Sequence, residues 1–231
     1  MIDISRHFTI FDYSKTKSHK IHIIGCGATG SRIAHQLTRL GCDNFVLWDK
    51  DIVGPENQPN QLFNYEDIGN QKSEAVKRAM VAINPAVNVE TRGHIDEDNI
   101  SELTKEDSFV FCLVDSMETR KFIFSKCKLN RKVLGFIDTR VGLYSGVVLS
   151  IIPQKMESCK TYENFLYTDE EAEAREVSPC GTPITVASTM AQAALLAEDQ
   201  YKKMINDKKF STYIEYTVGA PDGVAVQSIE A

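Results

Sequence analysis

The sequence predicts an α/β protein with a doubly wound, Rossmann-like mixed but mainly parallel sheet and helices on both faces. Three observations predict it. A short apolar run, KIHII at 20–24, enters a glycine loop directly, the residues after that loop carry helical spacing, and strand-like segments then alternate with helix-like ones along most of the chain. Sheets of this kind are crossed by right-handed connections and hold their ligands at the carboxyl ends of the strands.

Each element follows from local pattern. After the glycine loop, SRIAHQLTRLG places Ile33, Leu37 and Leu40 on one helical face and stops at Gly41. NFVLWD at 44–49 reads as a strand, and DIVGPENQPNQLFN, rich in Pro and Asn, reads as a loop. A helix is expected from about Asn70 to Ile83, ended by Asn84-Pro85 because the residue before proline is pushed out of the helical region. VNVETR (87–92) and SFVFCLV (108–114) predict strands with a short acidic helix between them. A helix over 116–129 leads to VLGFID (133–138) and to a longer strand over 142–153. Residues 154–178 lack apolar periodicity and contain the run DEEAEARE, which predicts a mobile crossover loop. TPITVASTMAQAALLAEDQYKKM then reads as a long helix, STYIEYTV (211–218) as a strand, and the rest as a short tail. There is no internal repeat, so residues 1–231 are expected to form one domain.

Composition narrows the function classes. With 231 residues, 42% of them apolar, the chain can bury a full core. A net charge of −6 with no cluster of Lys and Arg argues against nucleic-acid binding, which needs many cations to neutralise phosphates. The polar start, MIDISRHFTIFDYSKTKSHK, and the absence of a long apolar run predict neither a signal peptide nor a membrane span, hence a cytoplasmic protein. Six cysteines without a C-x-x-C pair speak against a zinc site or a disulfide framework and predict reduced thiols in the core. The five histidines lack metal-ligand spacing and read as surface or strand residues.

The glycine loop carries the chemistry. Gly25, Gly27 and Gly30 give G-x-G-x-x-G after a strand and at the start of a helix, and Asp49 follows Gly30 by 19 residues at the end of the next strand. Such glycines let a backbone approach a phosphate, the helix N-terminus supplies N–H donors, and the acid accepts from ribose hydroxyls. A nicotinamide, a flavin and ATP all fit this much. The downstream residues separate them, since Asn57, Gln61, Lys72, Asp115 and Arg120 along one set of loops have no evident use in a dehydrogenase. An ATP-using adenylyltransferase needs donors for the phosphates, a cation to offset developing charge, and a carboxylate for magnesium. Lys72, at a helix start where cations are disfavoured without an anion, strengthens that reading.

From about Lys20 to Lys203 the chain resembles the ThiF/MoeB-type adenylyltransferases, whose fold is shared by the enzymes that activate ubiquitin and ubiquitin-like proteins. The resemblance rests on GCGATGSRIAHQLTRLG, LWDKDIVGPEN, DIGNQK with AVKRAMVAINP, VDSMETR, and PCGTPITVASTMAQAALLAE. It implies ATP and Mg2+ as cofactors, with Asp49 on the ribose, Asn57 and Lys72 on the phosphates and Asp115 on magnesium. Gly25, Gly27, Ala28, Thr29 and Gly30, with Asp51, Asn60 and Gln61, complete the implied nucleotide set. The implied reaction activates the C-terminal carboxylate of a ubiquitin-like protein or peptide as an acyl-adenylate and releases pyrophosphate, in a homodimer. The alternative is a catalytically weak nucleotide-binding subunit of a protein-modification complex.

Three departures bear on that reading. The family usually reads S-N-L-x-R-Q, where this chain has Asn60 in place of the arginine, so another cation must substitute or catalysis is impaired; Arg6, Arg32 and Arg140 are the candidates. A subgroup of the family carries N-x-x-N-Q at this place. The paired cysteines that hold zinc in many members are missing, so no zinc is expected. Cys180, in SPCGTP before the long helix, stands where related enzymes often place a reactive cysteine, and is read either as a nucleophile or as a packing residue. Arg120 either reaches substrate or pairs with a carboxylate.

Overall fold

The computed structural model describes residues 2–6, 9–168, 186–220 and 223–230. In chain order the elements are β1 (Lys20–Ile24), α1 (Ala28–Arg39), β2 (Asn44–Trp48), α2 (Lys72–Ile83), β3 (Asn88–Arg92) and β4 (Ser108–Cys112). These are followed by α3 (Met117–Cys127), β5 (Val133–Val141), β6 (Ser145–Ile151), α4 (Met156–Glu163), α5 (Ala187–Ile205), β7 (Ser211–Ala220) and β8 (Gly223–Glu230).

The strands form one sheet in the order β3-β2-β1-β4-β5-β6-β7-β8. The first five are parallel, and β6, β7 and β8 join antiparallel. Strands buried on both faces must be apolar at successive positions, which is why KIHII and SFVFC read as continuous runs. Their alternate residues go to opposite sides. Ile21, Ile23, Phe45, Leu47, Phe109 and Phe111 pack with Ile33, Leu37, Val76, Met80, Ala193 and Tyr201 from α1, α2 and α5. On the other face Ile24, Val46, Trp48, Val110 and Cys112 pack with Ile123, Phe124, Cys127, Cys159 and Tyr162 from α3 and α4. Strand order reverses between β1 and β4, so the crevice at their carboxyl ends is the expected ligand position.

Four sequence expectations need correction. The stretch 154–178 is not loop throughout, because Met156–Glu163 forms α4, anchored by the buried Cys159 and Tyr162; residues 169–178 lie outside the described part. The acidic helix between β3 and β4 is a 3-10 turn, Ile100–Thr104. The tail after β7 is a strand, β8, that pairs antiparallel with β7. His19, ahead of β1, is neither surface nor strand: it is buried and shares a hydrogen bond of 3.1 Å with the Tyr201 hydroxyl, whereas His22 is a strand residue as expected, its Nδ1 accepting from the Trp48 indole at 3.2 Å. Cys26, Cys42, Cys112, Cys127 and Cys159 are free and buried, as expected. No described helix is long and apolar enough to cross a membrane.

Candidate functional site

The loop between β1 and α1 explains its own glycines. Gly25 has φ +99° and a Cβ there would lie 2.7 Å from the Leu113 carbonyl oxygen, while one on Gly30 would lie 1.9 Å from the Gly25 carbonyl oxygen. Neither position tolerates a side chain. Gly27 differs, for its φ is −74° and the nearest atom to an added Cβ is the Gln61 Oε1 at 3.8 Å. Space is left there rather than filled by packing. Gly27 is the N-cap of α1, and the first turn of that helix, with Ala28 and Thr29, has neither a side-chain cap nor an acidic residue. Its positive end is open to an anion.

Asp49 closes the other side of the loop. One carboxylate oxygen accepts the Cys26 N–H at 2.7 Å and the other the Asp51 N–H at 2.8 Å. Burial pushes its carboxyl above the usual range, with those N–H groups and Lys72 acting against the rise. The Cys26 thiol is buried and its pKa is raised by desolvation, so this residue contributes its backbone and not its sulfur.

Lys72 reaches the neighbouring Asp51 from the start of α2. Its N–H donates to the Asp51 carbonyl at 2.9 Å and its Nζ lies 3.0 Å from the Asp51 carboxylate, at a residue exposure of 9%. Asp51 is itself half exposed, so the buried ammonium has one partially solvated counter-charge. The loop between them turns on Asn57, whose side-chain oxygen accepts the Gly54 N–H at 2.9 Å and whose carbonyl accepts the Gln61 N–H at 2.9 Å. That use of the oxygen leaves the Asn57 amide nitrogen for a further acceptor. Gln61 holds its buried Oε1 unpartnered over Gly27.

Of the three candidate arginines, only Arg32 is at Asn60. Its guanidinium donates to the carbonyls of Ala28 and Asn60, and no described carboxylate pairs with it. Arg140 instead pairs with Asp138, and Arg6 is exposed in the N-terminal segment. Asp115 is exposed at the carboxyl end of β4, one residue beyond Val114, whose carbonyl is held by Arg120. Arg120 also pairs with the buried Asp138, which settles it as a residue bound to a carboxylate. Sequence reasoning missed Asp138; the signal was a carboxylate inside the apolar strand VLGFID. Cys180 lies outside the described residues.

These groups suit a nucleotide triphosphate. Open space at Gly27, an uncapped helix start, Arg32 with no described carboxylate partner, and Lys72 paired only with the half-exposed Asp51 match a polyphosphate. Among the described residues no three His, Cys, Asp or Glu side chains converge as a metal cage. Magnesium does not require one, since it is commonly held by one or two carboxylates together with substrate phosphates.

A 3-2-1-4-5 run of parallel strands with a glycine loop at the switch point defines a Rossmann-like α/β protein. The model of the ThiF family matches residues 5–222, and the chain belongs to that family. Among curated relatives, ubiquitin-like modifier-activating enzyme 5 of Drosophila pseudoobscura pseudoobscura is 27% identical over 242 residues, covering 94% of this chain and 58% of its own length. The same enzyme of Drosophila persimilis is 28% identical over 231 residues, covering 89% and 57%. The chain therefore spans somewhat over half the length of these relatives. Among solved structures, PaaA superposes with a TM-score of 0.75 at 20% identity over 98% of this chain and 68% of its own. MccB of E. coli, solved with AMPCPP and MccA, gives 0.70 at 20% identity over 94% and 64%.

Proposed function

We propose that this protein is an ATP-dependent adenylyltransferase that activates the C-terminal carboxylate of a ubiquitin-like protein or peptide. The observation that carries the reading is the buried Lys72 ammonium, 3.0 Å from the Asp51 carboxylate and close enough to Asp49 to oppose the rise of its carboxyl pKa, at the carboxyl end of the sheet. A cation in that position is stabilised by a polyphosphate and has no evident use toward a hydride carrier. The relatives, among them ubiquitin-like modifier-activating enzymes and an MccB solved with AMPCPP and MccA, support the same reading.

In this account Asp49 accepts from the ribose hydroxyls, while the first-turn N–H groups of α1, the Asn57 amide and Lys72 hold the phosphates. Arg32 brings to Asn60 the positive charge that asparagine lacks. A carboxylate oxygen of the substrate attacks the α-phosphorus, the bond to the bridging oxygen of the β-phosphate breaks, and pyrophosphate leaves with the bonding pair. Magnesium, held by Asp115 and phosphate oxygens, would offset charge on that leaving group. Lys72 and Arg32 do so from the protein side.

The test is ATP–pyrophosphate exchange in the presence of candidate peptides and ubiquitin-like proteins. Exchange is expected only with the right carboxylate, and Asp115→Ala is expected to abolish it. Undiminished exchange in that variant removes Asp115 from the mechanism.

A further inference from the structure

Beneath the candidate site lies a group of charges that the reaction does not use directly. Asp138, at the middle of β5, is wholly buried, and its carboxylate is shared by three side chains from three elements. Arg120 of α3 bonds one oxygen. The other accepts from the Arg140 Nε at 3.0 Å and from the Tyr162 hydroxyl of α4 at 2.9 Å. Two guanidinium groups thus share one carboxylate, and Arg120 Nε has no hydrogen-bond partner among the described residues. A buried cluster of this kind stabilises a fold weakly, because desolvation of the ions cancels much of their attraction. Apolar residues of equal volume would serve the core as well. What the charges add is direction.

The second bonds of the two arginines show where that direction leads. Arg120 donates to the Val114 carbonyl, in the irregular chain between β4 and α3, directly before Asp115. Arg140 donates to the Phe165 carbonyl and lies over the rings of Tyr162 and Tyr167, 5.8 and 5.4 Å from their centroids. Phe165 in turn stacks on Tyr213 at 4.8 Å. One side of the cluster therefore fixes the strand end that carries Asp115, and the other fixes residues 165–167, which follow α4. Both are non-repetitive backbone, where no helix or sheet ladder sets the conformation.

We propose that Asp138 is a positioning residue for the adenylation reaction, joining the Asp115 strand end through Arg120 to the 165–167 segment through Arg140 and Tyr162. The two segments are then set together. A shift of about 1 Å in a reacting group can cost on the order of a hundredfold in rate, so a shared anchor of this kind acts on turnover more than on nucleotide affinity. The proposal rests on the adenylyltransferase reading for its kinetic consequence, but not for its structural one.

The experiment compares wild type, Tyr162→Phe and Asp138→Asn. Tyr162→Phe removes one hydrogen bond and keeps the ring, so it remains folded where Asp138→Asn fails to fold. Amide hydrogen exchange is read at 113–115, at 164–168 and, as reference, at 25–31. The expected result for Tyr162→Phe is faster exchange, by about tenfold, at both 113–115 and 164–168 with the reference unchanged. Faster exchange at 164–168 alone overturns the proposal, because the two segments are then independent. In pyrophosphate exchange, kcat is expected to fall about tenfold while the KM for ATP stays within about twofold. A rise in KM with kcat unchanged also overturns it. Should wild type show no pyrophosphate exchange, the adenylation reading fails, and the amide measurement alone decides the coupling.

Discussion

Gly27 and Gly30 lie three residues apart across the start of α1, yet the physical demands on them differ. A Cβ on Gly30 meets the Gly25 carbonyl oxygen at 1.9 Å, which no rotamer relieves, whereas one on Gly27 meets nothing nearer than 3.8 Å at an ordinary φ of −74°. Gly30→Ala is therefore expected to cost several kcal/mol, ~3 or more, and to lower the urea midpoint sharply. Gly27→Ala should unfold like wild type and bind ATP at least about tenfold more weakly, because its methyl group occupies the space left beside the helix start. If Gly27→Ala binds ATP normally, the opening is not where phosphate lies. Lys72 was legible in the sequence for the same kind of reason: an amine at a helix start is out of place without an anion. Asp138 was not, since only the tertiary fold brings Arg120, Arg140 and Tyr162 onto it.

The elements that the sequence revealed are those with a buried face. β1, α1, β2, α2 and β4 bury residues at successive or helical positions, and their bounds agree with the pattern to within a few residues. α4 buries only Cys159 and Tyr162, too few to show a period, and the whole of β8 is exposed, so neither announced itself through hydrophobic spacing. The end of α3 holds a further consequence of local geometry. Leu129, one residue past the cap Lys128, has φ +56° and is 45% exposed, in a region that costs an L-residue ~1–2 kcal/mol. In Leu129→Gly part of the gain from relieving that strain is cancelled by the larger entropy of the unfolded glycine. The variant is expected to gain about 0.5–1 kcal/mol in urea unfolding. A lowered midpoint would mean that the leucine side chain contributes more packing than its exposure indicates.

At the scale of the whole molecule, stability and function draw on different parts of the same sheet. Burial lowers His19 to about 4 and His22 to about 3, so both imidazoles are neutral in the fold and protonate in the unfolded chain near 6.5. Since the unfolded state binds more protons below that value, stability is full above about pH 6.5 and falls as pH drops toward about 4. Each histidine contributes on the order of 3 kcal/mol to the loss. Urea midpoints measured from pH 7 to 4 should decline steadily, and a flat profile would contradict neutral buried imidazoles. The proposed function belongs to the carboxyl edge, where β1, β2 and β4 end in the glycine loop, Asp49 and the segment that carries Asp115. The most direct measurement there is calorimetric titration of MgATP and of NADH into wild type, Lys72→Met and Arg32→Gln. The account predicts MgATP binding in wild type, weakening of about tenfold or more in each variant, and no heat with NADH. Binding of NADH, or MgATP affinity untouched by both substitutions, would contradict it.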